Sequence, residues 1–185
     1  MSKIVFSLFT LLGITSLADT WVDPETNVKW SYHVTEGGAV LGLGYGETAV
    51  PPDIQGQIKC PKMLGGNPVT CIGEYAFKDC SSLTSVDIST EVISIEEGAF
   101  SGCSSLTQIV LPDSVERISH YAFSGCSKLE SVKLPESLAS IGNGAFLYCK
   151  ALKKVEIPDS VAFVGDFTFA GCSDLNEVSI GSGIK

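Results

Sequence analysis

The sequence predicts a repeat solenoid of 23-residue rungs, and three observations support this prediction. Apolar residues of one type recur every 23 positions through residues 69–185, without insertion or slippage. Within each repeat, apolar and polar residues alternate as in strands, and turn-forming residues separate these stretches. A fixed period of this length indicates stacked units, because each unit buries its apolar face only against its neighbours. We therefore expect one elongated core shared by successive rungs.

Six apolar positions repeat through five consecutive rungs. Each row holds one residue type or close relatives: Cys80, Cys103, Cys126, Cys149, Cys172; Phe77, Phe100, Phe123, Phe146, Phe169; Leu83, Leu106, Leu129, Leu152, Leu175; Ile72, Ile95, Ile118, Ile141, Val164; Val86, Ile109, Val132, Val155, Val178; and Ile88, Leu111, Leu134, Ile157, Ile180. An ordinary globular core would not repeat in this way, because each of its positions has a different shape to fill.

A single rung shows which local structures to expect. Residues 106–111 alternate with period two and predict a strand, and the proline at the start of residues 112–114 predicts a turn. Residues 115–118 predict a second short strand. Residues 119–125 end in glycine and predict a helical or 3₁₀ turn. Equivalent residues of neighbouring rungs should lie about 4.8 Å apart, so that each apolar row forms a ladder.

The rung resembles a known repeat class in its pattern A-F-x-G-C-x-x-L-x-x-V-x-I/L-P-x-S-V/L-x-x-I-G. The matching residues are Ala122, Phe123, Gly125, Cys126, Leu129, Val132, Leu134, Pro135, Ser137, Leu138, Ile141 and Gly142. This pattern is similar to the BspA-like, treponemal-type leucine-rich repeat. The resemblance implies a leucine-rich-repeat horseshoe of parallel β strands and short helical or 3₁₀ turns. It also implies a secreted or surface-displayed binding protein, of adhesion type, without enzymatic activity.

Four residues depart from the repeat pattern. Ser89 and Gly181 stand where the other rungs have proline, Thr168 replaces the alanine, and Phe163 occupies a position that is otherwise serine or arginine in the preceding three rungs. These changes are local and leave the period intact.

The chain divides into three segments. Residues 1–18 are expected to form a signal peptide, with Lys3 before an apolar run of 11 residues and a small-residue cleavage site at 16–18. Residues 19–68 lack the 23-residue period and predict an N-terminal β cap and linker. Residues 69–185 form the leucine-rich-repeat array, which we expect to be truncated at its C-terminus because the sequence stops inside a rung.

The cap is predicted to contain a β-hairpin. Trp30, Tyr32 and Val34 alternate with polar residues, which is typical of a half-buried strand. Residues 35–38 predict a turn, and residues 39–43 can return as the partner strand. Such a cap would cover the apolar end of the first rung.

Composition narrows the function classes. The formal net charge of −9 argues against nucleic-acid binding. The apolar run near the N-terminus is too short to span a bilayer, so membrane insertion within this chain is not expected. A hydrophobic content of 44% with 18% charged residues indicates a folded chain.

The seven cysteines predict buried thiols more than a disulfide framework. Stacked Cβ atoms would lie about 4.8 Å apart, whereas a disulfide requires about 3.8 Å. Cys60 aligns with the core residue Leu111, and Cys71 aligns with the outward residue Arg117. A Cys60–Cys71 disulfide, or a reactive thiol at Cys71, remains open from the sequence.

No residue pattern predicts a catalytic, cofactor-binding or metal site. His33 and His120 are the only histidines, and His120 lies in an outward polar row. The 23-residue gaps between cysteines reflect the repeat period rather than ligand spacing. Asp113, Glu136 and Asp159 follow the prolines in successive rungs, where they could share calcium or simply suit solvated turns.

The candidate ligand-binding surface is the outward side of the leucine-led strands. Its residues vary between rungs while the core rows do not: Ser85, Asp87, Gln108, Val110, Ser131, Lys133, Lys154, Glu156, Glu177 and Ser179. We expect a protein or cell-surface ligand to bind this concave face. Two alternatives are a structural spacer of an envelope or matrix, and a non-catalytic region of a larger secreted enzyme.

Overall fold

The protein winds into a solenoid of short parallel strands. A computed structural model describes residues 18–43 and 47–184; the predicted signal peptide therefore lies, but for its last residue, outside the described residues. The strands are β1 Asp19–Val22, β2 Lys29–Thr35, β3 Gly38–Leu41, β4 Gly56–Lys59, β5 Met63–Leu64, β6 Asn67–Ile72, β7 Leu83–Asp87, β8 Ser94–Ile95, β9 Gln108–Val110, β10 Arg117–Ile118, β11 Ser131–Lys133, β12 Ser140–Ile141, β13 Lys154–Ile157, β14 Phe163–Val164 and β15 Glu177–Ile180.

Two sheets run along the solenoid. The first, called here the long-strand sheet, has the order β15-β13-β11-β9-β7-β4, and all its pairs are parallel. The second has the order β1-β2-β3-β6-β8-β10-β12-β14, with β5 beside β6. Each rung of the array contributes one strand to each sheet. This arrangement confirms the predicted repeat solenoid of 23-residue rungs.

A ladder of phenylalanine rings fills the core between the sheets. The rings of Phe100 and Phe123 are fully buried and stacked, with centroids 5.2 Å apart and planes 2° from parallel. The same stacking joins Phe77 to Phe100 and Phe123 to Phe146. Trp30 of the cap closes the ladder, since its ring meets Phe77 edge to face at 6.1 Å. The predicted apolar rows thus form one continuous core.

The cysteine ladder has a hydrogen-bonding role beside its packing role. Cys126 Sγ donates to the carbonyl oxygen of Phe100 in the preceding rung at 3.2 Å, and Cys149 donates to that of Phe123 at 3.1 Å. Cys103 donates in the same way to the carbonyl oxygen of Phe77, and Cys172 donates to that of Phe146. A thiol therefore suits this position, because it fills a small apolar space and satisfies a buried carbonyl.

The prediction of a helical or 3₁₀ turn in each rung was wrong. The described residues contain hydrogen-bonded turns there and no helix. In the rung around Phe123, Tyr121 has φ 55° and Gly125 has φ 75°. Two left-handed residues so close together interrupt a right-handed helix. The turn instead donates to the following rung, as Tyr121 N does to Asn143 O and Phe123 N to Ala145 O.

An exposed tyrosine ring covers a glycine of the next rung at this turn. A Cβ added to Gly144 would lie 2.6 Å from Tyr121 Cε1, so a side chain there would displace the ring. Gly144 also has φ 60°, in the region that favours glycine. The pairs Tyr75–Gly98 and Tyr148–Gly171 repeat this contact.

The cap extends only the second sheet. The predicted pairing of residues 39–43 with the strand containing Trp30 is confirmed, since β2 and β3 are antiparallel neighbours. β3 then pairs in parallel with β6, and β1 lies outside β2. The long-strand sheet receives only β4 from residues 19–68 and, within the described residues, ends at that strand.

The last described rung is less buried than the others. Val178 and Ile180 belong to rows that are buried in earlier rungs, yet Ile180 is 65% exposed. Phe169, Cys172 and Leu175 are only partly buried. No described rung follows to cover them. Burial along the apolar rows therefore falls at the last described rung.

None of the described residues forms a helix long and apolar enough to cross a membrane.

Candidate functional site: the long-strand face

The structure brings the ten predicted surface residues together in two neighbouring rows on the outer side of the long-strand sheet, called here the long-strand face. In the first row, Ser131 is in register with both Gln108 and Lys154, and Lys154 with Glu177. In the second row, Val110 is in register with both Asp87 and Lys133. The members of this face are Ser85, Asp87, Gln108, Val110, Ser131, Lys133, Lys154, Glu156, Glu177 and Ser179.

The backbone beneath these side chains is held in place by the core. Ile109, Val132 and Val155 point inward from the same strands and are buried. The outward residues are exposed, apart from half-buried Ser85, and Val110 is exposed to 71%. Because inward and outward side chains alternate along each strand, the outward residues can vary without disturbing the core.

The sequence analysis missed two residues of this face. Gln57 and Lys59 of β4 are in register with Ser85 and Asp87 and extend the two rows by one strand. The signal was present in the sequence, since Ile58 and Cys60 align with Ile109 and Leu111. A loop of altered length after Cys60 hid it, because it breaks the 23-residue period between β4 and β7.

The face is electrically balanced although the whole chain is acidic. Three lysines (Lys59, Lys133, Lys154) stand among three carboxylates (Asp87, Glu156, Glu177). The chain as a whole carries a formal net charge of −9. An approaching acidic protein would therefore meet less repulsion here than elsewhere on the surface.

Lys154 is the centre of the charged network. Its Nζ lies 2.7 Å from Glu177 Oε1 and 2.9 Å from Glu156 Oε1. These hydrogen bonds raise the pKa of Lys154 and lower the pKa of Glu156. Lys133 makes no ion pair with any described residue. Of the two lysines, Lys133 is thus the one whose charge is available to a ligand.

A shallow depression of about 440 Å³ lies across β11 and β13. Its polar lining includes Ser131, Lys133 and Lys154 from the face, and Glu136 and Asp159 from the turns beyond it. Hydroxyl, ammonium and carboxylate groups converge there on an apolar floor of strand residues. A concave site with several polar groups of this kind is a suitable anchor point for a ligand side chain.

The polar turn residues have structural partners. Asp159 accepts hydrogen bonds from Ser182 N at 2.6 Å and Ser182 Oγ at 3.1 Å, which lower its pKa. His120 Nδ1 accepts the backbone N–H of Asn143 at 2.8 Å. Asn143 Oδ1 in turn accepts that of Asp166. Within the described residues no three His, Cys, Asp or Glu side chains come together to hold a metal ion.

A family model described as a BspA type leucine rich repeat region matches residues 67–185 in six copies. This chain belongs to the BspA-type leucine-rich-repeat family. No curated protein matches it. The leucine-rich-repeat fold of this family is typically a non-catalytic binding scaffold.

Solved structures with similar folds come from several bacteria. A Treponema pallidum leucine rich repeat protein has 31% identity and a TM-score of 0.74, with 80% of this chain and 67% of that chain covered. A Bacteroides ovatus leucine-rich repeat protein has 30% identity and a TM-score of 0.67, covering 94% and 42%. A Faecalibacterium prausnitzii leucine rich cell surface protein has 30% identity and a TM-score of 0.70, covering 84% and 38%. The chain thus spans less than half of the last two proteins.

All seven cysteines of this BspA-type chain are free. Cys60 is buried in the core, whereas Cys71 lies on the outer side of the second sheet, half-buried. This placement agrees with the predicted opposite facing of the two residues. Burial raises the pKa of Cys71 to about 11, although a hydrogen bond from Ser94 acts in the other direction. Cys71 is therefore a poor nucleophile at neutral pH.

A second polar group of this BspA-type array surrounds Glu96 beside Cys71. Glu96 accepts hydrogen bonds from Arg117 Nη2 at 2.6 Å, Ser94 Oγ at 2.8 Å and Ser119 Oγ at 3.0 Å. Burial alone would raise the pKa of Glu96, but these bonds outweigh it and hold the pKa below its usual value. Ser94 belongs to the same rung as Glu96, and Arg117 and Ser119 belong to the next, so Glu96 ties two neighbouring rungs together.

We expect the Glu96→Gln variant to lose stability at pH 7 and to lose less than wild type on acidification. Because the folded protein lowers the pKa of Glu96, its contribution is present above the unfolded pKa and lost as pH falls through the folded pKa. The loss at pH 7 should be about 1 kcal/mol, since Arg117 is largely exposed. Urea unfolding at pH 7 and pH 3.5 measures both effects. An identical pH dependence in the two proteins would contradict the role given to Glu96.

Proposed function

We propose that this chain is a secreted or surface-displayed binding module, of adhesion type, that recognises a protein or cell-surface ligand through the long-strand face. The observation that carries the proposal is the register of the face. Its varied side chains are aligned across neighbouring strands on a backbone fixed by the buried ladders. Because that backbone is already ordered, a ligand would bind at a small entropic cost.

The chemistry of the face suits a protein partner. A protein surface offers charges of both signs, hydrogen-bonding groups and apolar patches, and the face presents complements to each. Lys133 supplies an unpaired ammonium group, Gln108 an amide, and Val110 an exposed apolar contact. Six strands about 4.8 Å apart give the face a length of about 24 Å, close to the side of a square patch of about 800 Å², the area that each partner buries in a standard interface.

Two observations support an extracellular location. The first is the signal-peptide pattern of residues 1–18 in the sequence. The second is the similarity to a leucine rich cell surface protein of Faecalibacterium prausnitzii. Buried free thiols are compatible with an oxidising environment, because they are shielded from oxidants and from one another.

The experiment compares two triple variants with the same change in net charge. A ligand is first captured on the immobilised chain from surface material of neighbouring cells. Gln108, Lys133 and Lys154 are then replaced together by Glu on the face. In the matched control, Lys62, Lys78 and Ala139 are replaced by Glu at exposed positions outside it. We expect the face variant to bind at least tenfold more weakly and the control to bind normally. Loss of the exposed ion pairs of Lys154 should lower the melting temperature of the face variant by only a few degrees.

Two outcomes would count against the long-strand face as the binding site. If both variants lose affinity equally, the ligand senses overall charge and the face is not the site. If only the control loses affinity, the site lies elsewhere. Failure to capture any ligand in a thorough screen would favour the alternative of a structural spacer.

A further inference from the structure

The two sheets end differently at the N-terminal end of the solenoid. The second sheet continues into the cap, because β3 pairs with β6 and the hairpin β2–β3 follows. The long-strand sheet stops at β4, and no described strand pairs with its other edge. An uncovered edge exposes main-chain donors and acceptors to any extended chain that reaches it.

Every second residue of β4 directs its main-chain N–H and C=O groups toward that edge. Cys60 N donates to Asp87 O on β7. Since N–H and C=O groups point to the two sides of a strand in turn, Gln57 and Lys59 direct theirs away from β7. Two donors and two acceptors therefore face outward at the spacing that an added strand requires.

A groove of about 310 Å³ lies along this edge, called here the β4 groove. It is lined by Thr26, Val28, Trp30, Gln57, Ile58, Lys59 and Asp87. Ile58 points into the core, whereas Gln57 and Lys59 point outward, so a groove that touches all three must run beside the strand. Val28, Trp30 and Ile58 give it an apolar floor, and Lys59 and Asp87 form an ion pair of 3.6 Å at its rim.

Trp30, one of the lining residues, carries an unsatisfied donor. Trp30 is 1% exposed, and its indole Nε1 has no hydrogen-bond partner among the described residues. Buried donors are nearly always paired, so this one indicates a missing acceptor. Indole nitrogen can only donate, so the partner must supply a hydrogen-bond acceptor, such as a peptide carbonyl oxygen.

We propose that the β4 groove binds an extended peptide segment of a partner protein, which adds to the long-strand sheet as a seventh strand. The peptide pairs its main chain with Gln57 and Lys59. It places an apolar side chain over Val28 and Ile58 and brings an oxygen to Trp30 Nε1. Only an extended main chain complements alternating donors and acceptors of this kind. The site shares Gln57, Lys59 and Asp87 with the long-strand face. It differs in using the main chain at the free edge of β4, whereas the proposed function rests on outward side chains of β9, β11 and β13.

The test starts from a phage-displayed library of random dodecapeptides selected on the immobilised full chain. Binding of the selected peptides is then measured to three proteins: wild type, Gln57→Pro and Gln57→Ala. Proline removes the N–H that faces the free edge without touching the pairing with β7, whereas alanine removes the same side chain and keeps the N–H. We expect a loss of at least tenfold in affinity for Gln57→Pro and less than twofold for Gln57→Ala.

Two further measurements need no substitution in β4. Methylation of successive peptide nitrogens should weaken binding at least tenfold at every second position, because only alternate N–H groups face β4. In ¹H–¹⁵N correlation spectra, the indole N–H signal of Trp30 should shift on peptide binding, whereas that of Trp21 should not. The Trp21→Phe variant assigns the two signals, because it lacks one of them. These results hold even if Gln57→Pro fails to fold.

The proposal would be overturned by any of four results. These are the recovery of no binding peptide, equal effects of proline and alanine at Gln57, a methylation pattern without alternation, and an unmoved Trp30 signal. Concentration-dependent self-association that Gln57→Pro abolishes would assign the edge to a second copy of the chain instead, and would also overturn it.

Discussion

Replacing Phe123 by alanine should lower the free energy of unfolding by about 3–5 kcal/mol, as truncation of a large buried aromatic residue does. The ring is fully buried and stacks on Phe100 and Phe146 at 5.2 Å on either side. Its removal leaves a cavity that both neighbouring rungs line. Because rungs are stabilised by their neighbours, hydrogen-exchange protection should fall in the preceding and following rungs as well.

Phe167 provides the matched control for this substitution. It is a phenylalanine of the same array but is 75% exposed. Its backbone lies at φ 58°, a conformation that phenylalanine and alanine tolerate equally badly, so Phe167→Ala changes only side-chain contacts. Chemical unfolding should show a change below about 1 kcal/mol. Equal losses for Phe123 and Phe167, or lost protection confined to residues near 123, would contradict the ladder.

The five thiols of the cysteine ladder should react with iodoacetamide only after unfolding. Burial raises the pKa of Cys80 to about 11 and holds the pKa of Cys126 well above its usual value. A rise of this size leaves about 100-fold less thiolate at a given pH, and exclusion of the reagent slows the reaction further. Mass spectrometry should find the folded chain essentially unlabelled and the denatured chain labelled at every cysteine.

The order of labelling provides an internal control. Cys172 lies in the last described rung and is half-buried, so as denaturant is added it should become reactive before Cys103, Cys126 and Cys149. Strands at the end of a stack also open more readily than those in its middle. Disulfides between rungs as the main species, or rapid labelling of Cys126 in the folded protein, would contradict the buried-thiol interpretation.

The repeat period was enough to predict the core, because stacking makes the same demand at every rung. Phe123, Cys126 and Leu129 are buried where the period placed them. The turns could not be predicted so well. The sequence of residues 119–125 predicts a helical turn, but Tyr121 adopts a left-handed backbone conformation and its ring packs on Gly144. The alternation of glycine with an aromatic residue at this position was the signal, and it only becomes meaningful once the contact between rungs is seen.

The candidate surface was predictable to the extent that strand alternation fixes which side chains point outward. Gln108, Ser131 and Lys154 are in register as expected. β4 was not recognised as part of the sheet, since the loop after Cys60 breaks the period. The β4 groove could not be foreseen at all, because Trp30 and Ile58 are brought together only by the packing of the cap on the first rung.

The division between core and surface explains how one fold can serve many ligands. Core rows such as that of Phe123 must keep their size, because each ring packs on two others. The outward residues carry no such constraint and can follow the needs of binding. Lys133 and Val110 are therefore the residues whose replacement should change recognition most and stability least.

Site-specific photo-crosslinking tests the central claim most directly. Benzoylphenylalanine is placed at Val110, on the long-strand face, or at Tyr148, on the turns. Both residues are well exposed, at 71% and 56%, so the probe is accessible in either position. After irradiation with the captured ligand, the account predicts a crosslinked product from position 110 and little from position 148. A product from position 148 with none from position 110 would contradict it.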